Sequence, residues 1–142
     1  MKSFKQYLLE ALDQDSEFKL SARDEKYFKQ FIDLAEELNN LIEQIRDFDG
    51  DEEELDDDDE MQQVGYDCVS VIEKIDRVCD KFEDEDFAEE LRQFVVVGGD
   101  VYTYSTPSNY ADGGEFDPID IKLAHEMKDW WEKNGNLEDF PW

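Results

Sequence analysis

Basic residues are scarce in this chain. Its 142 residues include 14 Lys and Arg against 41 Asp and Glu, which gives a formal net charge of -27 at pH 7. A small domain needs a charge of only about 2 to 8 to stay in solution. Because so large an excess of one sign repels polyanions, nucleic acid and acidic membrane surfaces are excluded as direct partners at physiological salt. The expected partner is a basic protein surface.

Histidine and cysteine are almost missing as well, with one His and two Cys. His125 has no second histidine with which to share a metal, and no Ser/His/Asp group or Gly-rich phosphate loop can be assembled. Cys68 and Cys79 fall on the apolar side of a predicted helix, which indicates buried, reduced thiols. The sequence therefore predicts a protein that is not an enzyme and needs no cofactor.

Long apolar runs are missing too. No stretch approaches about eighteen uncharged apolar residues, and the amino terminus lacks the apolar segment of a secretory signal. We therefore expect a soluble, intracellular protein that does not enter a membrane.

The run from Asp47 to Glu60 is almost continuous carboxylate and superficially resembles a calcium-binding EF-hand loop. With Gly50 at the sixth position of such a loop, Ile45 falls at the first position and Asp56 at the last. The first position needs an oxygen ligand and the last needs Glu, so the pattern fails at both ends. No specific metal site is predicted.

Enough apolar residues remain for a folded core. They make up 39% of the chain and include ten Phe, six Tyr and three Trp, whereas disordered acidic chains are poor in aromatic residues. We expect residues 11–142 to form a single acidic globular domain.

Apolar residues at steps of three and four predict two long helices. The first begins at Ser21, a predicted N-cap, and its apolar stripe contains Phe28, Phe31, Ala35, Leu38, Ile42 and Ile45. The stripe of the second contains Met61, Val64, Cys68, Val71, Ile72, Ile75, Val78, Cys79 and Phe82. The two helices are expected to pack antiparallel, with residues 48–60 as an exposed, flexible acidic loop at their junction.

Shorter elements are predicted in the second half of the chain. A third helix is indicated by Phe87, Ala88, Leu91 and Phe94, and residues 95–104 are typical of a β-hairpin that turns at Gly98-Gly99. Asp117-Pro118 predicts the start of a last helix, after which residues 136–142 either pack back or form a docking peptide. The predicted fold class is α+β, mainly α: a helical bundle with one small β-hairpin and an exposed acidic loop.

The first eleven residues, MKSFKQYLLEA, form a basic amphipathic segment. This segment resembles the capsid-targeting leader of head-internal proteins in T-even-type tailed phages, in which a prohead protease cuts after Glu in a Leu/Ile-x-Glu motif. Leu8, Glu10 and Ala11 match that motif. The resemblance implies a cleavable leader over residues 1–10, cleavage by a prohead protease, and location in the virion head and then in the host cytoplasm.

Carboxylates line the predicted helices, and they suggest how such a protein acts. One line on the second long helix contains Glu73, Asp76, Asp80 and Glu83, and the third helix carries Glu85, Asp86, Glu89 and Glu90. Acids at three- and four-residue steps give one charge per roughly 5 Å of helix edge, so two or three edges approach the density of duplex DNA. These eight residues are the predicted partner-binding surface of a DNA mimic, which would bind a basic host DNA-binding or defence protein.

The excess of acid also fits simpler causes and different functions. The carboxylate lines can be ordinary solvated helix faces, because Lys74, Arg77 and Lys81 run beside the acids and Glu73 can pair with Arg77. High-salt adaptation also raises the acid content of proteins. The leader would equally suit a structural or internal protein of the phage head, and a third function is that of an immunity protein for a basic nuclease toxin.

Overall fold

The described part of the chain is helical. A computed structural model describes residues 19–95, 105–114 and 116–141. These residues form the α-helices α1 (Ala22–Arg46), α2 (Glu52–Asp57), α3 (Asp59–Asp80), α4 (Glu85–Arg92) and α5 (Ile121–Asn134), together with a short 3-10 helix at Pro107–Tyr110.

The predicted α+β class is wrong for this part of the chain, because residues 19–95, 105–114 and 116–141 contain no β-strand. Residues 96–104 of the expected hairpin lie outside the described residues. Val95 is described, and it lies in a turn whose amide donates to the Arg92 carbonyl at 3.1 Å. Its β-branched side chain, which had suggested a strand, is buried against the helical core at the end of α4.

The two long helices follow the predicted pattern. The Ser21 hydroxyl caps α1 by accepting a hydrogen bond from the Asp24 amide at 3.1 Å. The apolar stripes predicted for α1 and α3 are buried in one core. Cys68 and Cys79 are free and buried, as expected, and burial raises the pKa of each thiol to about 12. Both thiols therefore act as small apolar groups at neutral pH.

Asp24 shows that α1 and α3 are antiparallel. Its buried carboxylate accepts hydrogen bonds from the amides of Glu83 at 2.8 Å and Asp84 at 3.0 Å. This contact joins the beginning of α1 to the residues that follow the end of α3. The other ends of the two helices are joined by the short connection that contains α2.

The acidic run is not a loop, and in this respect the prediction for residues 48–60 is wrong. Residues 52–57 form α2, and α3 begins at Asp59. The Asp51 carboxylate caps α2 through the Glu54 amide at 2.8 Å, and the Asp58 carboxylate caps α3. Acids near a helix N-terminus are favoured by the helix dipole, and Leu55 anchors the run because it is only 5% exposed.

Arg46, the last residue of α1, fixes the segment that follows the 3-10 helix. Its Nε donates to the carbonyl of Tyr110 at 3.1 Å, and its Nη2 donates to that of Phe116 at 3.4 Å. The same guanidinium is paired with the carboxylates of Asp112 at 3.3 Å and Asp117 at 3.1 Å. The Arg46 side chain therefore holds residues 110, 112, 116 and 117 against the end of α1.

Two further contacts hold the chain before α5 against the long helices. The Asn39 amide group donates to the Ile119 carbonyl at 2.9 Å and accepts from the Ile119 amide at 2.7 Å. On α3, Gly65 lies so close to residue 105 that a Cβ would be 2.2 Å from the Ser105 carbonyl oxygen. The backbone at Ser105 thus packs directly on the α3 backbone.

The last helix begins later than predicted but ends where expected. Asp120, rather than the Asp117-Pro118 pair, caps α5 by accepting from the Leu123 amide. Gly135 ends the helix in the left-handed conformation with φ 73°. Described residues of the tail pack back: Phe140 is buried and its ring lies edge-on to Trp130, with 5.8 Å between centroids. Within the described tail, the alternative of a free docking peptide is not supported.

Candidate functional site

The carboxylate line predicted on α3 is largely neutralised by arginines. Arg77 pairs with Glu73 at 3.6 Å along the helix, and the Glu73 side chain is only 25% exposed. Arg92, from α4, lies between Asp76 and Asp80 and forms an ion pair with each. The Asp76 and Asp80 side chains remain 56% and 65% exposed, so these arginines reduce the net charge that the line presents without covering it.

The remaining member of that line, Glu83, lies in a region with several cations. It pairs with Arg23 at 3.7 Å, and both side chains are more than half exposed. Arg23, Lys26 and Lys81 each stand 5.8 Å from the centre of the Tyr27 ring, close enough for cation–π attraction. This end of α1 and α3 therefore carries both signs of charge, as expected for an ordinary solvated surface.

The predicted acids on α4 are about as exposed as those of the line predicted on α3. Glu85, Asp86 and Glu89 are exposed, whereas Glu90 is partly buried. Burial, together with the neighbouring Glu89 and Asp86 carboxylates, raises the pKa of Glu90 above its ordinary value. Like charges on this helix therefore oppose one another, and no described Lys or Arg is ion-paired with these four residues.

Replacing Glu90 with Gln is expected to raise the stability of the protein slightly at pH 7. Because the folded-state pKa of Glu90 is raised, its ionisation costs stability as the pH rises from the ordinary value of 4.5 through the folded value. Urea unfolding should show the gain at pH 7 and none at pH 3. The matched control is Glu37→Gln, at an exposed position on α1, and a gain of equal size there would contradict a local cause.

The most concentrated unpaired charge lies elsewhere, at the opposite end of α1 and α3 from Asp24. We define the acidic end as the twelve carboxylates from Asp47 to Asp67, a stretch that contains no Lys or Arg. Ten of them are exposed, and Asp56 and Asp58 are partly buried. None is ion-paired with a Lys or Arg of the described ranges. Eight of the twelve lie in α2 or α3, and Asp51 and Asp58 cap these two helices.

The sequence did contain a signal for this surface. Asp51 is followed three residues later by Glu54, which is a typical pattern for a helix N-cap. Asp58 is a second residue of a type that is common at N-caps. These two N-caps are hard to recognise in the sequence, because nearly every residue from Asp51 to Glu60 is acidic. Leu55 is the one apolar residue in that range, so no helical spacing of apolar residues can be seen there.

Tyr66 adds an aromatic side chain to the edge of the acidic end. It is 60% exposed and is the one large hydrophobic residue that is exposed in the described part of the chain. It borders a small depression together with Asp56 and Gln62. Tyrosine is enriched among residues that dominate protein–protein binding energies, so this position suits a contact residue better than a solvated one.

Metal, membrane and processing sites find no support in the described residues. Among them, no group of three or more His, Cys, Asp or Glu side chains is placed to hold a metal ion. None of their helices combines the length and apolar character needed to cross a membrane. The processing residues Leu8, Glu10 and Ala11 lie outside the described ranges.

Comparisons with protein families, curated proteins and solved structures give no match.

Proposed function

We propose that this protein is a non-enzymatic inhibitor that binds a basic surface of a DNA-binding protein through its acidic end. A host DNA-binding or defence protein is the target suggested by the resemblance of the leader to phage head-internal proteins. The acidic end replaces the α3 line as the main contact surface, because its carboxylates have no cationic partners among the described residues and are held on helices.

The charge density of α2 carries this proposal. Five of its six residues are Asp or Glu. Six helical residues extend about 9 Å, which gives one charge per roughly 1.8 Å, close to the value of about 1.7 Å for duplex DNA. Leu55 holds the helix against the core, so this density is fixed in place before a partner arrives.

The mechanism is competitive and needs no chemistry. A basic DNA-binding surface would meet carboxylates in place of phosphates and release the anions it holds. Opposite charges accelerate encounter and align the two proteins, and added salt weakens both effects. The target would therefore be unable to bind DNA and this protein at the same site at the same time.

Charge reversal separates the acidic end from the acids of α4. The variant Glu52→Lys/Glu53→Lys/Asp57→Lys should weaken binding to a basic DNA-binding protein by more than about tenfold at low salt, because it removes the unpaired charge at the contact. The matched variant Glu85→Lys/Asp86→Lys/Glu89→Lys changes the net charge equally and should have a much smaller effect. Isothermal titration against purified basic DNA-binding proteins, with lysozyme as a basic control, measures both.

Competition with duplex DNA completes the test. Duplex DNA should displace this protein from the target, and the affinity should fall steeply with salt. If both variants lose affinity equally and lysozyme binds as well as the DNA-binding proteins, the attraction is unspecific. If the target holds DNA and this protein together, mimicry is wrong, and the structural head protein or immunity protein becomes the better account.

A further inference from the structure

A cleft opens at the acidic end, between the end of α1, the beginning of α2 and the turn that follows the 3-10 helix. Its volume is about 470 Å³, within the range of roughly 300–1,000 Å³ that is typical of small-ligand sites. One wall is formed by Ile45, Phe48 and Leu55. Ile45 and Leu55 belong to the buried core, and Phe48 is partly buried against it. Ile45 and Leu55 are only 1% and 5% exposed, so the apolar surface that the cleft offers comes mainly from the Phe48 ring.

The charged residues around the cleft favour a cation. Three carboxylates line it, from Asp51, Glu52 and Asp112, against one guanidinium, from Arg46. Glu52 is exposed in the first turn of α2, and the Asp112 side chain is 87% exposed. Neither carboxylate is buried: Glu52 has no ion pair with a described Lys or Arg, and Asp112 is exposed although it is paired with Arg46 at 3.3 Å.

Arg46 does not make the cleft an anion site. Its guanidinium already contacts the carbonyl oxygens of Tyr110 and Phe116 and the carboxylates of Asp112 and Asp117. An incoming anion would compete with these four oxygens for the same N–H groups. The two carboxylates also exceed the charge of the one guanidinium, so this cluster repels anions.

The far side of the cleft is open backbone. Gly113 has φ +82°, and an added Cβ there would have no atom within 4 Å. Gly113 and Gly114 line the cleft without side chains. The turn is open at Gly113, whereas an added Cβ at Gly114 would lie 2.5 Å from the Asn109 carbonyl oxygen. A partner side chain would therefore have room on the Gly113 side of the turn.

We propose that the cleft receives one lysine or arginine side chain of the basic partner, an inference that rests on the proposed function. The aliphatic part of that side chain would lie along the Phe48 ring, while its charged group stays at the mouth, near Glu52 and Asp112. Long basic side chains are suited to such sites because an apolar stem ends in a hydrated charge. The cleft adds a defined anchor to an otherwise broad electrostatic attraction.

Nuclear magnetic resonance of the full chain tests the cleft directly. The probes are three capped tripeptides, Gly-X-Gly, in which X is arginine, lysine or norleucine, added at constant ionic strength. The arginine and lysine peptides should shift the amide signals of Phe48, Gly50, Gly113 and Gly114 in a saturable manner. The norleucine peptide, which has the stem without the charge, should shift them by less than a fifth as much.

Paired variants control for unspecific charge. Glu52→Gln/Asp112→Asn removes two charges from the cleft and should weaken peptide binding at least fivefold. Glu53→Gln/Asp57→Asn removes two charges from the same acidic end outside the cleft and should weaken it less than twofold. Asp117 and the two carbonyls still hold Arg46 in the first variant, and an unchanged melting temperature would verify this.

The outcomes for the cleft and for the proposed function can be told apart. Shifts spread evenly over the acidic end, or equal losses in both paired variants, would overturn the cleft while leaving the mimic proposal intact. Saturable peptide binding in the cleft, with no binding of any basic DNA-binding protein, would support the cleft and overturn the mimic proposal. If the cleft variant weakens binding of the whole target by a clearly larger factor than its matched control, the side-chain anchor is supported in the complex.

Discussion

Replacing Gly65 with Ala is expected to destabilise the protein by about 3 kcal/mol, although alanine is the better helix former. The new Cβ would lie 2.2 Å from the carbonyl oxygen of Ser105 and 3.3 Å from its carbonyl carbon. Both are backbone atoms, so no side-chain rotation relieves the contact. The segment that leads into the 3-10 helix would have to move away from α3.

Thermal and urea unfolding measure this effect, with Ser70→Ala as the control on the exposed side of the same helix. The control should change stability by less than about 0.5 kcal/mol, because its side chain lies at the surface. A Gly65→Ala protein as stable as the parent would show that the Ser105 segment does not pack on α3 in solution. Since this segment leads to the cleft, the variant should also broaden the amide signals of Gly113 and Gly114.

Replacing Asp24 with Ala is expected to cost a similar amount, about 3 kcal/mol, for a different reason. Asp24 is 2% exposed, and its carboxylate is the acceptor for the backbone amides of Glu83 and Asp84. Without it, two partly buried amide donors lose their partner where the chain passes from α3 to α4. Asp24→Asn keeps the shape and one acceptor oxygen, so it should cost less than the alanine variant.

Urea unfolding at pH 7 compares these variants with Glu25→Ala, the neighbouring and exposed acid in the same first turn. The control loses only a favourable interaction with the helix dipole, of about 0.5 kcal/mol. Equal effects at both positions would contradict the bridging role of Asp24. Binding by the surviving folded protein should be unaffected, because Asp24 lies at the end of α1 away from the proposed contact surface.

Apolar periodicity made the two long helices predictable. Phe28, Phe31 and Ile42 recur on one side of α1, and each is buried. Ser21 marked the helix start correctly, and Gly135 marked the end of α5 because it can adopt positive φ. Each of these signals depends on residues that are close together in the sequence, so it can be recognised without knowledge of the tertiary structure.

The errors arose where local signals conflict or where the decisive contact is distant in sequence. The acidic run was predicted as a loop because it interrupts the apolar periodicity of the two long helices, yet its two N-caps and Leu55 hold residues 52–57 in a helix. The neutralisation of the α3 line depends on Arg92, which reaches Asp76 from another helix. Arg46 contacts Tyr110 and Phe116, which lie 64 and 70 residues further along the chain. Sequence spacing cannot reveal these contacts.

The antiparallel pairing of α1 and α3 separates the charges of the molecule along its length. Lys19, Arg23, Lys26 and Lys29 lie at or near the beginning of α1, and Lys74, Arg77 and Lys81 lie towards the end of α3, which is the same end of the pair. The acidic end, in which no Lys or Arg occurs from Asp47 to Asp67, lies at the other end of the pair, next to Arg46 of α1. The charges of the described residues are therefore divided unevenly between the two ends of the helix pair. If the proposed basic partner binds, this asymmetry would turn the acidic end towards it before contact.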